Sequence, residues 1–447
     1  MISGEEIIAY FFAIFYYCKF GVPSVFILKF NQNRGDFMME KLISCILAMG
    51  IIVSAFAGCN SKKPTEQSSQ PTNESLTVES SSTVSENADK PVTDAEVIDG
   101  LTFVKTMELK YAQKFRVDYY NDGYKLITIT DNDDNKQKAL IIPEGKEAPT
   151  ELKDGIIKLK QPLNNILMSS TPTTSLFNSL GALDKISMTT TDYDGWYIDE
   201  VKAAMDNKTT TFIGSYKEPD YEIIVEKAPQ LGVFSTMLLS VPEVAEKLTE
   251  LNVPYLLDQA SYEPHPMARV EWIKLYGAMF NMEEKADEEF LEQCEYFDKI
   301  QPASGEKETA AIFYITSKGV LHVRKGGDYL SKMYEMAGGE YIFKDLEPED
   351  TGTTKMEFEE FYKVAKDADR IIYIWNIGGK PKTLADLLDK NELLKDFKAV
   401  KEGNVWCTTP DFFQISNTMG YMINDISKML TIDDGNDSEL KYLFRLK

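Results

Sequence analysis

His265 and His322 are the only imidazoles in 447 residues, which narrows the chemistry open to the chain. Nucleophilic catalysis of the Ser–His or Cys–His kind needs an imidazole beside the nucleophile. No Gly-x-Ser-x-Gly elbow, His-Glu-x-x-His helix, Walker phosphate loop or paired-cysteine zinc motif accompanies them. The sequence is therefore read as that of a protein without a catalytic centre. Either histidine can ligate the iron of a haem, with a thioether such as Met267 as partner, but two scattered imidazoles define no ligand set. Of five cysteines, Cys18 and Cys45 lie near the N-terminus and Cys59 ends an apolar run. Cys294 and Cys407 remain, either as a bridge or as two separate buried thiols.

Composition limits the partners. Forty-eight Lys and Arg against 71 Asp and Glu give a formal charge of -23, and a phosphate backbone is bound by clustered basic groups, so nucleic acid is excluded as a partner. With 43% hydrophobic and 11% aromatic residues, most of the chain should fold around sizeable cores.

Met39-Glu40-Lys41 precedes an apolar run from Leu42 to Ala57 that ends in Phe56-Ala57-Gly58-Cys59. The run is shorter than the roughly 20 residues of a membrane span, and small residues precede the cysteine as a cleavage site requires. It resembles a bacterial lipoprotein signal peptide over 38–58, which implies a lipidated Cys59 as the mature N-terminus. Residues 1–37, upstream of a complete signal, are expected to come from a start codon assigned too early. From 59 to 96 the chain is rich in Ser, Thr, Glu and Pro with few bulky apolar residues, the composition of a disordered tether. About 35 such residues reach roughly 30 to 35 Å.

The elements that would position a site follow from residue 97. FRVDYY and YKLITITD flank Asn121-Asp122-Gly123, a hairpin signal. Apolar runs then alternate with amphipathic stretches, as in βαβ units with a parallel sheet. A single helix is predicted over 266–301 from apolar recurrence at three and four, and the alternation resumes beyond it. The fold class read from this is α/β: two Rossmann-like lobes, 97–265 with leading β-hairpins and 302–447, joined by one long helix.

Three segments carry a resemblance to a known family. PLNNILMSSTPTTSLFNSLGALDKISMTT resembles the opening strand, Ser/Thr/Pro loop and helix of the ABC-importer binding proteins for siderophores, haem and cobalamin. EIIVEKAPQLGVFST is similar to that class's helix and Lys-Pro-Asp-Leu-Val strand, with Ala228-Pro229-Gln230 in its place. YEMAGGEYIF is similar to its Ala-Gly-Gly-Glu-Asn hallmark, with Tyr341 for Asn. The resemblance covers about 160 to 435. It implies a lipid-anchored binding protein on the outer face of the bacterial cytoplasmic membrane, delivering an iron chelate, haem or cobalamin to a permease dimer and its ATPase. A relay lipoprotein without an importer, or a surface enzyme on the same scaffold, are the alternatives, since fold does not fix function.

In that family the ligand lies between the lobes, against loops at the C-terminal ends of strands. The corresponding loops here offer Thr173, Thr174, Tyr193, Trp196, Tyr216 and Tyr262 from the first lobe, and Trp375, Phe412 and Phe413 from the second. Aromatics there suit a flat or greasy chelate, or else pack their own lobe. Thr173 and Thr174 either cap the helix they open or present its N–H groups to an anion. Arg269 and Lys325 are the basic candidates for carboxylate or catecholate oxygens, with surface salt bridges as the competing role. The family's docking positions fall on Glu222 and Glu335, one per lobe, to face permease arginines. The stiffness of a single connecting helix implies only slight lobe movement on binding.

Overall fold

A computed structural model describes residues 94–300, 306–375, 380–432 and 438–447. The signal peptide, Cys59 and nearly all of the predicted tether lie outside the described residues, and Asp94 to Lys447 fall within one compact unit.

Five strands come first: β1 (Phe103–Thr106), β2 (Phe115–Tyr120), β3 (Lys125–Thr130), β4 (Lys136–Ile142) and β5 (Ile156–Lys160). They form one sheet in that order, antiparallel except for the β4–β5 pair. Alternation along each strand divides the side chains between two faces. Leu126 and Leu140 pack with Tyr120, Tyr124 and Ile142 on one side, while Ile127, Ile129, Ala139 and Ile141 join the main core on the other.

The first lobe holds β6 (Ile166–Ser169), β7 (Ile186–Thr189), β8 (Thr211–Phe212), β11 (Leu231–Ser235) and β12 (Tyr255–Asp258), ordered β12-β11-β6-β7-β8 and all parallel. Ile166, Leu167 and Met168 are all buried, as expected of a parallel sheet covered on both faces. Between β8 and β11 a two-stranded hairpin, β9 (Gly214–Ser215) and β10 (Glu218–Pro219), stands apart. The lobe's helices are α1 (Thr171–Leu180), α2 (Asp199–Asp206), α3 (Tyr221–Lys227) and α4 (Pro242–Glu250).

The connection differs from the single helix predicted over 266–301. It is three helices: α5 (Pro266–Glu271), α6 (Ile273–Phe280) and α7 (Glu283–Asp298). The second break is set by Asn281 in the left-handed region (φ 58°), which ends α6, followed by Glu283 and Glu284 in the first turn of α7. Asparagine tolerates that conformation, and acidic residues favour a helix start.

The second lobe contains β13 (Thr309–Ile315), β14 (Leu321–Arg324), β15 (Glu340–Tyr341), β16 (Thr353–Lys355), β17 (Arg370–Tyr373), β18 (Val405–Thr408) and β19 (Leu443–Arg445). The sheet runs β16-β14-β13-β17-β18-β19, with β15 also on β13; the β13–β17–β18 centre is parallel, β14 pairs antiparallel on both sides, and β16 and β19 are antiparallel edges. Its helices are α8 (Tyr329–Met336), α9 (Phe358–Ala365), α10 (Leu384–Leu388), α11 (Lys398–Lys401) and α12 (Met419–Thr431). Gly420 lets α12 approach α7: a Cβ there would lie 2.0 Å from the Gln293 carbonyl oxygen. Cys294 and Cys407 are separate buried thiols.

Two acids tie the leading sheet to the connecting helices. Glu271, with no exposed surface, accepts the backbone N–H groups of Lys110 (2.6 Å), Tyr111 (2.7 Å) and Ala112 (2.8 Å). Glu263 accepts those of Gln113 (3.0 Å) and Lys114 (2.9 Å) and the Trp272 indole N–H at 2.9 Å. Five consecutive backbone donors are thereby satisfied by two buried carboxylates.

Candidate functional site

The strand-end loops after β6, β11 and β12 converge on a cavity of about 50 Å³ that also reaches Arg269 of α5 and Ser416 of the second lobe. Its floor is set by Asp258, the last residue of β12. That carboxylate accepts the Thr173 hydroxyl at 2.7 Å, the Tyr276 hydroxyl at 2.6 Å and the Ala260 N–H at 2.8 Å. Burial pushes its carboxyl above the usual range, against those hydrogen bonds. Thr173 and Thr174 are both buried in the first turn of α1, where Ser170 is the cap and the Thr174 hydroxyl returns to the Ser170 carbonyl at 2.9 Å. Of the two, Thr173 lines the cavity.

Beside the cavity, Arg269 stacks its guanidinium on Tyr329 with 3.7 Å to the ring centroid, and Arg324 lies 5.8 Å from the same ring. Arg269 donates to the Ser261 carbonyl at 3.0 Å and Arg324 to Asp328 at 3.2 Å. Arg269 Nε and Arg324 Nε and Nη2 are buried with no hydrogen-bond partner among the described residues. Burial pulls the Arg269 guanidinium below the usual arginine range, and at Arg324 the same burial is overcome by Asp328 and nearby tyrosines. Buried donors without acceptors cost free energy, and an oxygen-rich anion is a group that could satisfy them. Arg324 escaped the sequence reading, which chose its neighbour Lys325.

The two lobes also bond directly. Gln414, buried, donates to the Gly195 carbonyl at 2.6 Å and accepts the Tyr197 N–H at 2.8 Å. The Ser416 N–H donates to the Ser175 hydroxyl at 2.9 Å, and the Asn417 amide to the Ser179 hydroxyl at 2.8 Å. Two loops expected to touch ligand thus hold each other.

Several candidates sit elsewhere. Trp196, 1% exposed, is not at the cleft surface: it packs with Ile198 and Val201 in a satellite cluster, its indole donating to the Thr191 carbonyl at 3.1 Å. Tyr193 is 42% exposed, with Asp206 at its hydroxyl and Lys202 over its ring, a surface position. Tyr216 packs on the apolar cluster of Ile224, Phe234 and Leu238. Trp375 is buried edge-on to Phe444, and Phe412 is fully buried beside the half-buried Phe413, whose ring lies 5.9 Å from Arg324. Tyr262 and Lys325 come together on an open pocket of about 460 Å³. The Lys325 ammonium, however, is spent on Glu347 (2.6 Å) and Asp350 (3.4 Å).

Both histidines already have partners in the fold. His265 caps α5 through Nδ1, which accepts the Met267 N–H at 3.1 Å, and its ring stacks on Tyr111 at 4.3 Å; Met267 is buried in the core. His322 stacks on Tyr314 at 4.8 Å within the sheet. Burial lowers both imidazoles from their ordinary range. Among the described residues no three His, Cys, Asp or Glu side chains form a metal-binding group. Glu222 is exposed in the first turn of α3, and Glu335 is partly exposed on α8 with Lys332 at 3.5 Å.

Residues 169–412 match the family described as periplasmic binding protein, just over half of the chain. An uncharacterised lipoprotein of Methanocaldococcus jannaschii is 29% identical over 92% of this chain and the whole of its own length. The fold is shared with the petrobactin-binding protein of Bacillus subtilis (15% identity, 69% of this chain and 99% of that one, TM-score 0.52). It is shared too with the periplasmic catecholate-siderophore binding protein of Vibrio cholerae (17% identity, 69% and 100%, TM-score 0.51).

Proposed function

The chain belongs to the periplasmic binding protein family, and on that premise we propose that it is the substrate-binding component of an ABC importer. In this reading Cys59 carries the lipid that anchors it to the outer face of the membrane. An anionic metal complex, foremost an iron chelate, binds between the lobes and passes to a permease without any bond being made or broken.

The observation that carries the ligand class is the set of buried guanidinium N–H groups without acceptors around Tyr329. Guanidinium forks suit carboxylate and catecholate oxygens. A structural neighbour named for catecholate siderophore supports this choice. Haem gains less support, because His265 and His322 are already committed to a cap and a ring stack. A bulky chelate gains room where the lobes part at Gln414. Glu222 and Glu335, one on each lobe, serve as the docking charges for permease arginines, and the relative that carries the name lipoprotein supports the anchor.

The test is titration of the purified protein with ferric catecholate, ferric hydroxamate and ferric citrate, read by native mass spectrometry and melting temperature. Binding of one chelate that is lost in both Arg269→Ala and Arg324→Ala is the expected result. No chelate bound, or a chelate bound equally well by both variants, removes the proposed ligand site.

A further inference from the structure

We infer that the small cavity between the lobes is by itself a site for one tetrahedral oxyanion of phosphate or sulfate size, occupied while the Gln414 contact stays made. Its position between the lobes rests on the binding-protein reading; its occupant is argued from the cavity alone.

Size comes first. One water needs roughly 10–15 Å³ of such space. The cavity's 50 Å³ or so therefore admits about three to five water-sized groups, enough for the oxygens of one compact ion, and not a whole chelate or a macrocycle.

The lining decides the charge. Ser416 is 5% exposed and lines the cavity; its backbone is fixed by Ser175, yet its hydroxyl bonds to no group among the described residues. Ser235, partly buried, and Ser261, exposed to solvent, also line the cavity, and their hydroxyls bond to no group among the described residues. Arg269 contributes a full positive charge and a buried Nε–H without an acceptor. The Ser170 cap adds the start of α1, a ten-residue helix. An apolar occupant would leave these donors stranded, at a cost comparable to lost hydrogen bonds.

Asp258 is the one acid on this lining. Its oxygens accept two hydroxyls and a backbone N–H, so most of its acceptor capacity is turned to the protein, and the Arg269 guanidinium offsets its charge on the lining. A multi-oxygen anion, accepting from Arg269 and from the Ser416 and Ser235 hydroxyls, satisfies the unclaimed groups that water reaches least.

The experiment is calorimetric titration of the full-length protein with sodium phosphate, sulfate and molybdate, beside a ferric catecholate. At least one oxyanion is expected to bind saturably, one per chain. Ser416→Ala and Arg269→Lys should each weaken it by roughly tenfold or more, the loss of one hydrogen bond to a charged group. Ligand-free melting temperatures check that both variants fold; Ser416→Ala removes a single oxygen. Chelate binding with no oxyanion binding overturns this inference and leaves the importer reading standing. Oxyanion binding unchanged in both variants places the ion elsewhere and overturns it too. Failure of every ligand removes both.

Discussion

Gln414 accepts the Tyr197 N–H at 2.8 Å and donates to the Gly195 carbonyl at 2.6 Å, so one side chain of the second lobe completes the backbone hydrogen bonds of a loop in the first. Both bonds are lost in Gln414→Ala. Stability should fall by about 1–2 kcal/mol, and the Tyr197 amide should exchange with solvent markedly faster. Hydrogen-exchange mass spectrometry reads this directly. Protection of Tyr197 unchanged in the variant would show that the lobes are held by other contacts.

Glu271 is a buried acid with three backbone donors, and its replacement by Gln leaves one oxygen to serve three N–H groups. Glu271→Gln should cost about 2–3 kcal/mol in urea unfolding. Protection should be lost first around residues 110–112. A stability equal to that of the parent protein would mean the segment finds other acceptors.

Acid should loosen the leading sheet through Glu96. Hydrogen bonds from Lys138 and Lys153 hold its carboxyl below the ordinary 4.5, against the opposing effect of burial. Because this acid is depressed in the fold, its contribution is present above pH 4.5 and is lost as pH falls through the folded value. Burial moves Glu263 and Asp258 the opposite way, so the share of Glu96 is isolated by comparison with Glu96→Gln. The variant should start less stable at neutral pH and lose less on acidification. Parallel curves for the two proteins would refute the assignment.

Docking predicts a separation of phenotypes. Glu222→Lys with Glu335→Lys puts like charges before the permease arginines, so uptake should fall severely, each single change giving a partial defect. Ligand affinity should stay as it was, because both carboxylates lie outside the cavity. Normal uptake by the double variant would reduce the pair to solvated helix positions.

Lipidation predicts that a fatty-acid label incorporated in cells is lost in Cys59→Ala and that the protein then leaves the membrane fraction. Label retained on the variant contradicts the anchor.

The order of strands and helices is legible in the sequence because period-two and period-3.6 apolar patterns alternate cleanly along both lobes. The breaks in the 266–301 region are less so, since apolar recurrence runs on through Trp272 and Asn281. Asn281 followed by Glu283 and Glu284 is the available sign of one helix stopping and another starting. For the site, Arg269 is found where a cation was expected. Arg324 needed the sheet: at the end of β14 it points inward toward Tyr329 and Asp328, while adjacent Lys325 reaches Glu347. Trp196 shows the limit of residue type. An indole on a loop reads the same whether it faces a ligand or, as here, plugs a satellite cluster. Gln414 has no local signature, because its partners are more than 200 residues away.

The run of five backbone donors from Lys110 to Lys114 on Glu271 and Glu263 also fixes how the molecule bears load. A drag on the N-terminal side of the chain enters the folded body through the leading sheet and arrives at the helices that connect the lobes. Side-by-side hydrogen bonds share such a force instead of opening one after another. Under the proposed Cys59 anchor, tension on the N-terminal side would pass to the helices that connect the lobes and not to either lobe alone.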